Sequence, residues 1–92
     1  MVMSDLTTFF DQRDIDGADR VPKQVLKKAQ QIIHRLDDGN PYWKLRGKRL
    51  NHDRDVISIP VGRRWRILAS WQDGEAVPQA ILSHERYNGR TQ

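Results

Sequence analysis

The stretch Val56-Ile57-Ser58-Ile59-Pro60-Val61-Gly62-Arg63-Arg64-Trp65-Arg66-Ile67-Leu68-Ala69-Ser70-Trp71 decides the fold. Ile57, Ile59 and Val61 alternate with Ser58 and Pro60, and Trp65, Ile67, Ala69 and Trp71 alternate with Arg66, Leu68 and Ser70. A period of two places one set on the buried face of a strand and the other on the opposite face. Gly62-Arg63 reads as a tight hairpin between the two runs, and Asp73-Gly74 as a second turn before a third strand near Val77 to Ser83. The pattern predicts a three-stranded antiparallel meander. Pro60 has no N–H to donate, so the strand that carries it is expected at an edge. Trp65, Ile67 and Trp71 then face the core, and Ser58, Arg64 and Arg66 share the opposite, polar face.

Upstream, the period changes. Val21, Val25, Ala29, Ile32, Ile33 and Leu36 recur at three- and four-residue intervals, which predicts an amphipathic helix from about Val21 to Leu36. Asp19 is its candidate cap, Pro22 fits the first turn, and Gly39 supplies the left-handed residue beyond its end. Lys23, Lys27, Lys28 and Arg35 project outward, with His34 beside the apolar stripe as a surface histidine. Ser4 to Asp11 suits a short helix, capped by Ser4 with Leu6, Phe9 and Phe10 on one side, but Thr7 to Phe10 also suits a short strand. The acidic stretch Asp11 to Asp19, broken by Gly17, reads as a loop and lacks the spacing of a calcium site. After the turn signal Asp37 to Pro41 comes Tyr42 to Leu50, aromatic at its start and basic throughout, expected to be extended or a loop on the rim. Asn51 to Asp55 is polar and expected to be exposed. A helix or helices packed on one face of a small antiparallel sheet is an α+β fold.

Ninety-two residues and 10.8 kDa suit one core, so residues 1–92 are read as a single domain, and separate cofactor and substrate lobes are excluded. Charged residues make up 30% and mean hydropathy is −0.80, yet 37% of the chain is hydrophobic, enough for a folded domain rather than a disordered one. Cysteine is absent, which rules out disulfides, a thiol nucleophile, iron–sulfur clusters and thiolate zinc sites, and suits a reducing compartment. No apolar run is long enough to span a membrane and Met1 to Phe10 has no signal-peptide core, so a soluble, cytoplasmic protein is expected.

Charge is unevenly spread. Between Asn40 and Arg66 stand Lys44, Arg46, Lys48, Arg49, Arg54, Arg63, Arg64 and Arg66 against Asp53 and Asp55, a net +6 over 27 residues. The chain's total is +4, so the other 65 residues carry −2. Clustered cations on an otherwise mildly acidic chain suit a polyanion-facing surface, the plainer alternative being a solvated basic face. Strong catalytic motifs are missing: there is no phosphate-cradling glycine loop, no G-x-S-x-G elbow and no H-E-x-x-H. His34, His52 and His84 lack ligand spacing, and neither a metal nor a cofactor is expected. What remains is the basic sheet face and the string Ser83-His84-Glu85-Arg86-Tyr87. Attack of a ribose 2′-hydroxyl on the adjacent phosphate needs a proton acceptor, a proton donor for the leaving 5′-oxygen, and fixed cations. Histidine, arginine and phenol side chains can supply these, although His84 and Tyr87 are equally consistent with simply finishing the strand.

The ordered set Lys44-Leu45-Arg46-Gly47, then Val56 to Leu68, then Asp73-Gly74, then Ser83 to Tyr87 resembles the RelE/ParE toxin superfamily, nearest its HigB-like branch. The likeness covers roughly Val21 to Asn88. It implies a toxin of a type II toxin–antitoxin pair, commonly a ribosome-dependent messenger-RNA endonuclease neutralised by a bound antitoxin. By position, the resemblance implies that Arg66 stabilises the phosphate and that His84 or Tyr87 is the acid/base group. Lys44 and Lys48 fall where the family's basic residues contact RNA, with Arg46, Arg49 and Arg63 in the same basic segments and Arg64 and Arg86 as supporting cations. Two departures stand out. Members usually begin with a β-strand before two helices, which Met1 to Phe10 does not match well, and Glu85 follows His84 where many relatives carry a basic residue. Other members of the superfamily keep the fold and inhibit DNA gyrase without the acid/base group.

Overall fold

In chain order, residues 5–83, the part described by this computed structural model, form helix α1 (Asp5–Gln12), helix α2 (Lys23–Asp37), and strands β1 (Lys48–Arg49), β2 (Val56–Val61), β3 (Trp65–Gln72) and β4 (Glu75–Ser83). Short 3₁₀ helices at Ala18–Arg20 and Tyr42–Leu45 precede α2 and β1. Ser4, the expected cap of α1, lies outside the described residues.

The alternating stretch pairs as its period predicts. Ile57 lies opposite Ala69, Ile59 opposite Ile67, and Val61 opposite Trp65, so all of these point to one side. That side meets Leu26, Ala29 and Ile33 of α2 and Phe10 of α1 in a single core. Ile33, Ile57, Ile59, Ile67 and Phe10 are fully buried, each stabilising the fold by roughly 1.5–3 kcal/mol relative to exposure. Trp65 and Trp71 are half-buried against this core, on the side expected for them. α1 forms as a helix rather than a strand, with Phe10 buried and the Phe9 and Phe10 rings edge to face at 5.0 Å. α2 ends as its glycine predicts. Gly39 is left-handed (φ 94°), its N–H donates to the Leu36 carbonyl and the Asn40 N–H to the Arg35 carbonyl, both at 3.0 Å, which is a Schellman motif. Its other end begins two residues later than expected: Asp19 lies in the preceding 3₁₀ helix, Pro22 occupies the N-cap position, and no side chain caps there.

Three features depart from the sequence reading. The sheet has four strands in the order β1-β2-β3-β4, because Lys48 and Arg49 pair antiparallel with Ser58 and Ile57. β2 is therefore an edge over only part of its length. The Leu50 N–H donates to the Val56 carbonyl at 2.9 Å, so alternate residues 56, 58 and 60 turn their backbone groups toward β1. β1 starts opposite Ser58, and Pro60 falls beyond it, where its missing N–H forfeits no bond. Next, Arg64 lies in the three-residue Gly62–Arg64 turn and not on the strand face.

The acidic loop, finally, is tied into the fold. Asp16 forms a parallel bridge with Ala80: its N–H donates to the Gln79 carbonyl and its carbonyl accepts from the Ile81 N–H, both at 2.9 Å. Ile15 and Ala18 on either side are core residues. Gly17 between them is buried and left-handed (φ 92°), and a Cβ there would collide with the Ile81 carbonyl oxygen. β4 itself bulges at this level, since Leu68 pairs with Ala80 and Ala69 with Pro78, leaving Gln79 as the extra residue.

Candidate functional site

Pairing decides which basic side chains share a face. Lys48 lies opposite Ser58, and Pro60, Arg66 and Leu82 form a row across β2, β3 and β4 on the same side, away from the helices. Arg66 is half-buried and its Nη1 donates to Ser58 Oγ at 3.1 Å. Ser58 is 1% exposed. A buried acceptor fixed on a central strand restrains a guanidinium that would otherwise sample many rotamers, and a planar, permanently charged donor held in this way suits a phosphoryl group. Ser58 therefore stands on the expected face but is not a solvated residue of it. Ala80 and Leu82 on that side are buried too. The cations of this face stand on β1 and β3.

The other cations divide into two groups. Lys44 on the 3₁₀ helix, Arg46 just after it, Lys48 on β1, and Arg63 and Arg64 in the β2–β3 turn are exposed. Arg49 is different. Opposite Ile57, it points to the helix side, where its guanidinium stacks on Trp71 at 4.6 Å and over Tyr42 at 5.7 Å. Its Nε donates to Tyr42 Oη at 2.9 Å and its Nη1 to the Arg54 carbonyl at 2.8 Å. These contacts bind the 3₁₀ helix and the β1–β2 loop to the sheet, so among the basic segment's side chains Arg49 has a structural task.

His84, Arg86 and Tyr87 lie outside the described residues. The chain reaches them from the end of β4, where Ser83 lies opposite Trp65, the residue before Arg66. Of the described histidines, His34 is exposed on α2 with its ring 5.2 Å from that of Phe9, and His52 is exposed in the β1–β2 loop. His34 is on the helix side of the sheet, away from Arg66. Among the described residues no three histidine or acidic side chains gather to hold a metal ion, and no helix is long and apolar enough to cross a membrane.

Helices packed on one face of a small antiparallel sheet are the arrangement the resemblance implies. A family model described as a ParE-like toxin domain matches residues 23–89. The chain belongs to the ParE-like toxin family. No curated protein and no solved structure matches it. The matched region begins with α2 and runs through all four strands, so α1 and the loop that carries Asp16 lie ahead of it in this toxin. A toxin domain of this family implies an antitoxin partner.

Proposed function

We propose that this toxin is a metal-independent endoribonuclease of the HigB-like kind that cuts messenger RNA on the ribosome. The observation that supports this best is the Arg66 guanidinium, restrained by the buried Ser58 hydroxyl on the sheet face that also carries Lys48. In the reaction, the ribose 2′-oxygen bonds to phosphorus and the bond to the 5′-oxygen breaks, leaving a 2′,3′-cyclic phosphate and a 5′-hydroxyl. One proton leaves the 2′-hydroxyl and another reaches the 5′-oxygen, and His84 and Tyr87 are the groups assigned to these transfers. Arg66, supported by Arg64 and Arg86, stabilises the charge that builds on the phosphoryl oxygens. Lys44, Arg46, Lys48 and Arg63 hold the strand through its phosphates. A shallow surface is sufficient because the ribosome presents and orients the substrate.

A second reading rests on a specific observation. No residue of β1, β2, β3 or β4 on the Arg66 face is a histidine, so the proton transfers are assigned to the segment after Ser83. Without that segment's proton transfers the toxin would be a non-catalytic binder of DNA gyrase, or a basic nucleic-acid-binding module. Induction in cells separates these readings. The nuclease reading expects loss of messenger with chromosomal DNA intact, and His84→Ala and Arg66→Ala are expected to relieve growth arrest. Double-strand breaks with stable messenger, and arrest undiminished by His84→Ala, would favour gyrase.

A further inference from the structure

Between α2, the end of the Tyr42–Leu45 3₁₀ helix and the β2–β3 turn lies a groove of about 320 Å³. Lys28, Gln31, Ile32 and Arg35 of α2 line it, together with Leu45 and Gly62. Spaced three and four residues apart, the four α2 residues form a single stripe, in which Lys28 and Arg35 stand two turns apart, about 10 Å along the axis. Ile32 lies between these cations, and both Ile32 and Leu45 are half-buried against the core. The charge of the groove is of one sign. No carboxylate lines it, and Lys28 and Arg35 have no ion-pair partner among the described residues. Asp37 and Asp38 follow Arg35 in the chain, but neither reaches the groove and Asp37 is already paired with Arg13. From Arg20 to Leu36 the chain carries five lysines and arginines and no aspartate or glutamate. The first turn of α2, where acidic side chains are the favourable ones, begins with Lys23 instead. Arg46 and Arg63, next in the chain to Leu45 and Gly62, are exposed and add to the positive charge on this side.

We propose that this groove docks an acidic, amphipathic segment of the antitoxin. Carboxylates of that segment pair with Lys28 and Arg35, and an aliphatic side chain between them covers Ile32 and Leu45. The inference rests on the toxin–antitoxin assignment and is independent of whether the toxin cuts RNA. Single-stranded RNA is the poorer occupant, because a groove that holds it offers aromatic faces to the bases, and the apolar lining here is wholly aliphatic. Phosphates alone would satisfy the two cations and leave Ile32 and Leu45 uncovered.

The test measures the Kd between purified toxin and the antitoxin encoded by the adjoining reading frame, for wild type, Lys28→Glu, Arg35→Gln and, as a control, Lys23→Glu. Lys23 is an exposed cation of the same helix outside the groove, so its reversal reads the effect of net charge alone. All three replaced side chains are exposed, and circular dichroism and thermal melting check that the variants remain folded. The expected result is a loss of affinity of about tenfold or more for Lys28→Glu, about threefold or more for Arg35→Gln, and a change within about twofold for Lys23→Glu. Affinity for single-stranded RNA, followed by fluorescence anisotropy, should fall no further for Lys28→Glu than for Lys23→Glu. Growth arrest by toxin induced alone, read separately, should be the same for all three variants and wild type, so failure of the toxin assignment shows there and not in Kd. Antitoxin affinity that is unchanged in Lys28→Glu, or that falls equally in Lys23→Glu, overturns the proposal. So does a selective loss of RNA affinity in Lys28→Glu, which assigns the groove to a polyanion, or a toxin-only dimer that Lys28→Glu dissociates.

Discussion

Replacing Gly17 by alanine tests how the acidic loop is built into the fold, and Gly39→Ala is its internal control. Both glycines are left-handed, at φ 92° and 94°, so both substitutions carry the same backbone penalty. That penalty is about 1–2 kcal/mol for an L-residue, reduced by roughly 0.4–1 kcal/mol from the stiffer unfolded chain. Gly39→Ala meets no atom within 4 Å and should cost only this net amount, about 1 kcal/mol. Gly17→Ala drives its Cβ into the Ile81 carbonyl, and the loop must move away from β4 to relieve it. Doing so breaks the two bonds that bracket Asp16, each worth about 0.5–1.5 kcal/mol, for a total near 3 kcal/mol. With a urea m-value of about 1 kcal/mol/M for a chain of this size, the midpoint should fall by about 3 M for Gly17→Ala and about 1 M for Gly39→Ala. Equilibrium urea unfolding followed by tryptophan fluorescence reads both. Equal shifts for the two variants would refute the reasoning, since the difference between them isolates the packing of the loop on β4.

Other expectations concern the arginines and the basic face. Arg49→Ala should lower stability by about 1–3 kcal/mol, through loss of its stack on Trp71 and two hydrogen bonds, whereas Arg63→Ala in the exposed turn should change it by less than about 0.5 kcal/mol; thermal or urea unfolding checks both. Arg13→Ala removes an ion pair whose side chains are 38% and 43% exposed and a stack over Phe9 at 4.5 Å, so its cost should be about 1 kcal/mol, with only the ion-pair part shrinking in high salt. Single-stranded RNA binding by the toxin should weaken with salt, and Lys44→Ala or Lys48→Ala should each lower the log–log slope by about 0.7, measured by fluorescence anisotropy. Ser58→Ala should leave phosphate affinity nearly unchanged but reduce cleavage rate, because it removes one hydrogen bond that orients Arg66 rather than a charge.

Much of this architecture is legible in the sequence wherever a pattern repeats. Apolar positions at three- and four-residue intervals from Val25 to Leu36 specify α2, and Gly39 marks its end; the alternation from Ile57 to Trp71 specifies the β2–β3 register. What escapes is carried by one or two residues. β1 is only Lys48 and Arg49, too short for a period, and which way each points is set by where they pair on β2. That pairing sends Lys48 to the basic face and Arg49 to the aromatic cluster, a division no charge count can make. Asp16 likewise enters the sheet through a single bridge whose only signal is the neighbouring glycine. Ser58 looks like an ordinary polar residue of an exposed face, and its burial beside Arg66 is visible only once the strands are paired. The order of residues made Arg66 a candidate, and the pairing adds the hydroxyl that restrains it.

The most direct test of the nuclease account is cleavage of ribosome-bound messenger by purified toxin, comparing wild type with Arg66→Ala and Arg66→Lys. The account predicts fragments ending in 2′,3′-cyclic phosphate, a rate lowered about 10²- to 10³-fold by Arg66→Ala, and incomplete recovery with lysine, which keeps the charge but loses the fork held by Ser58. Intact messenger with wild type, or equal cleavage by all three proteins, would contradict it.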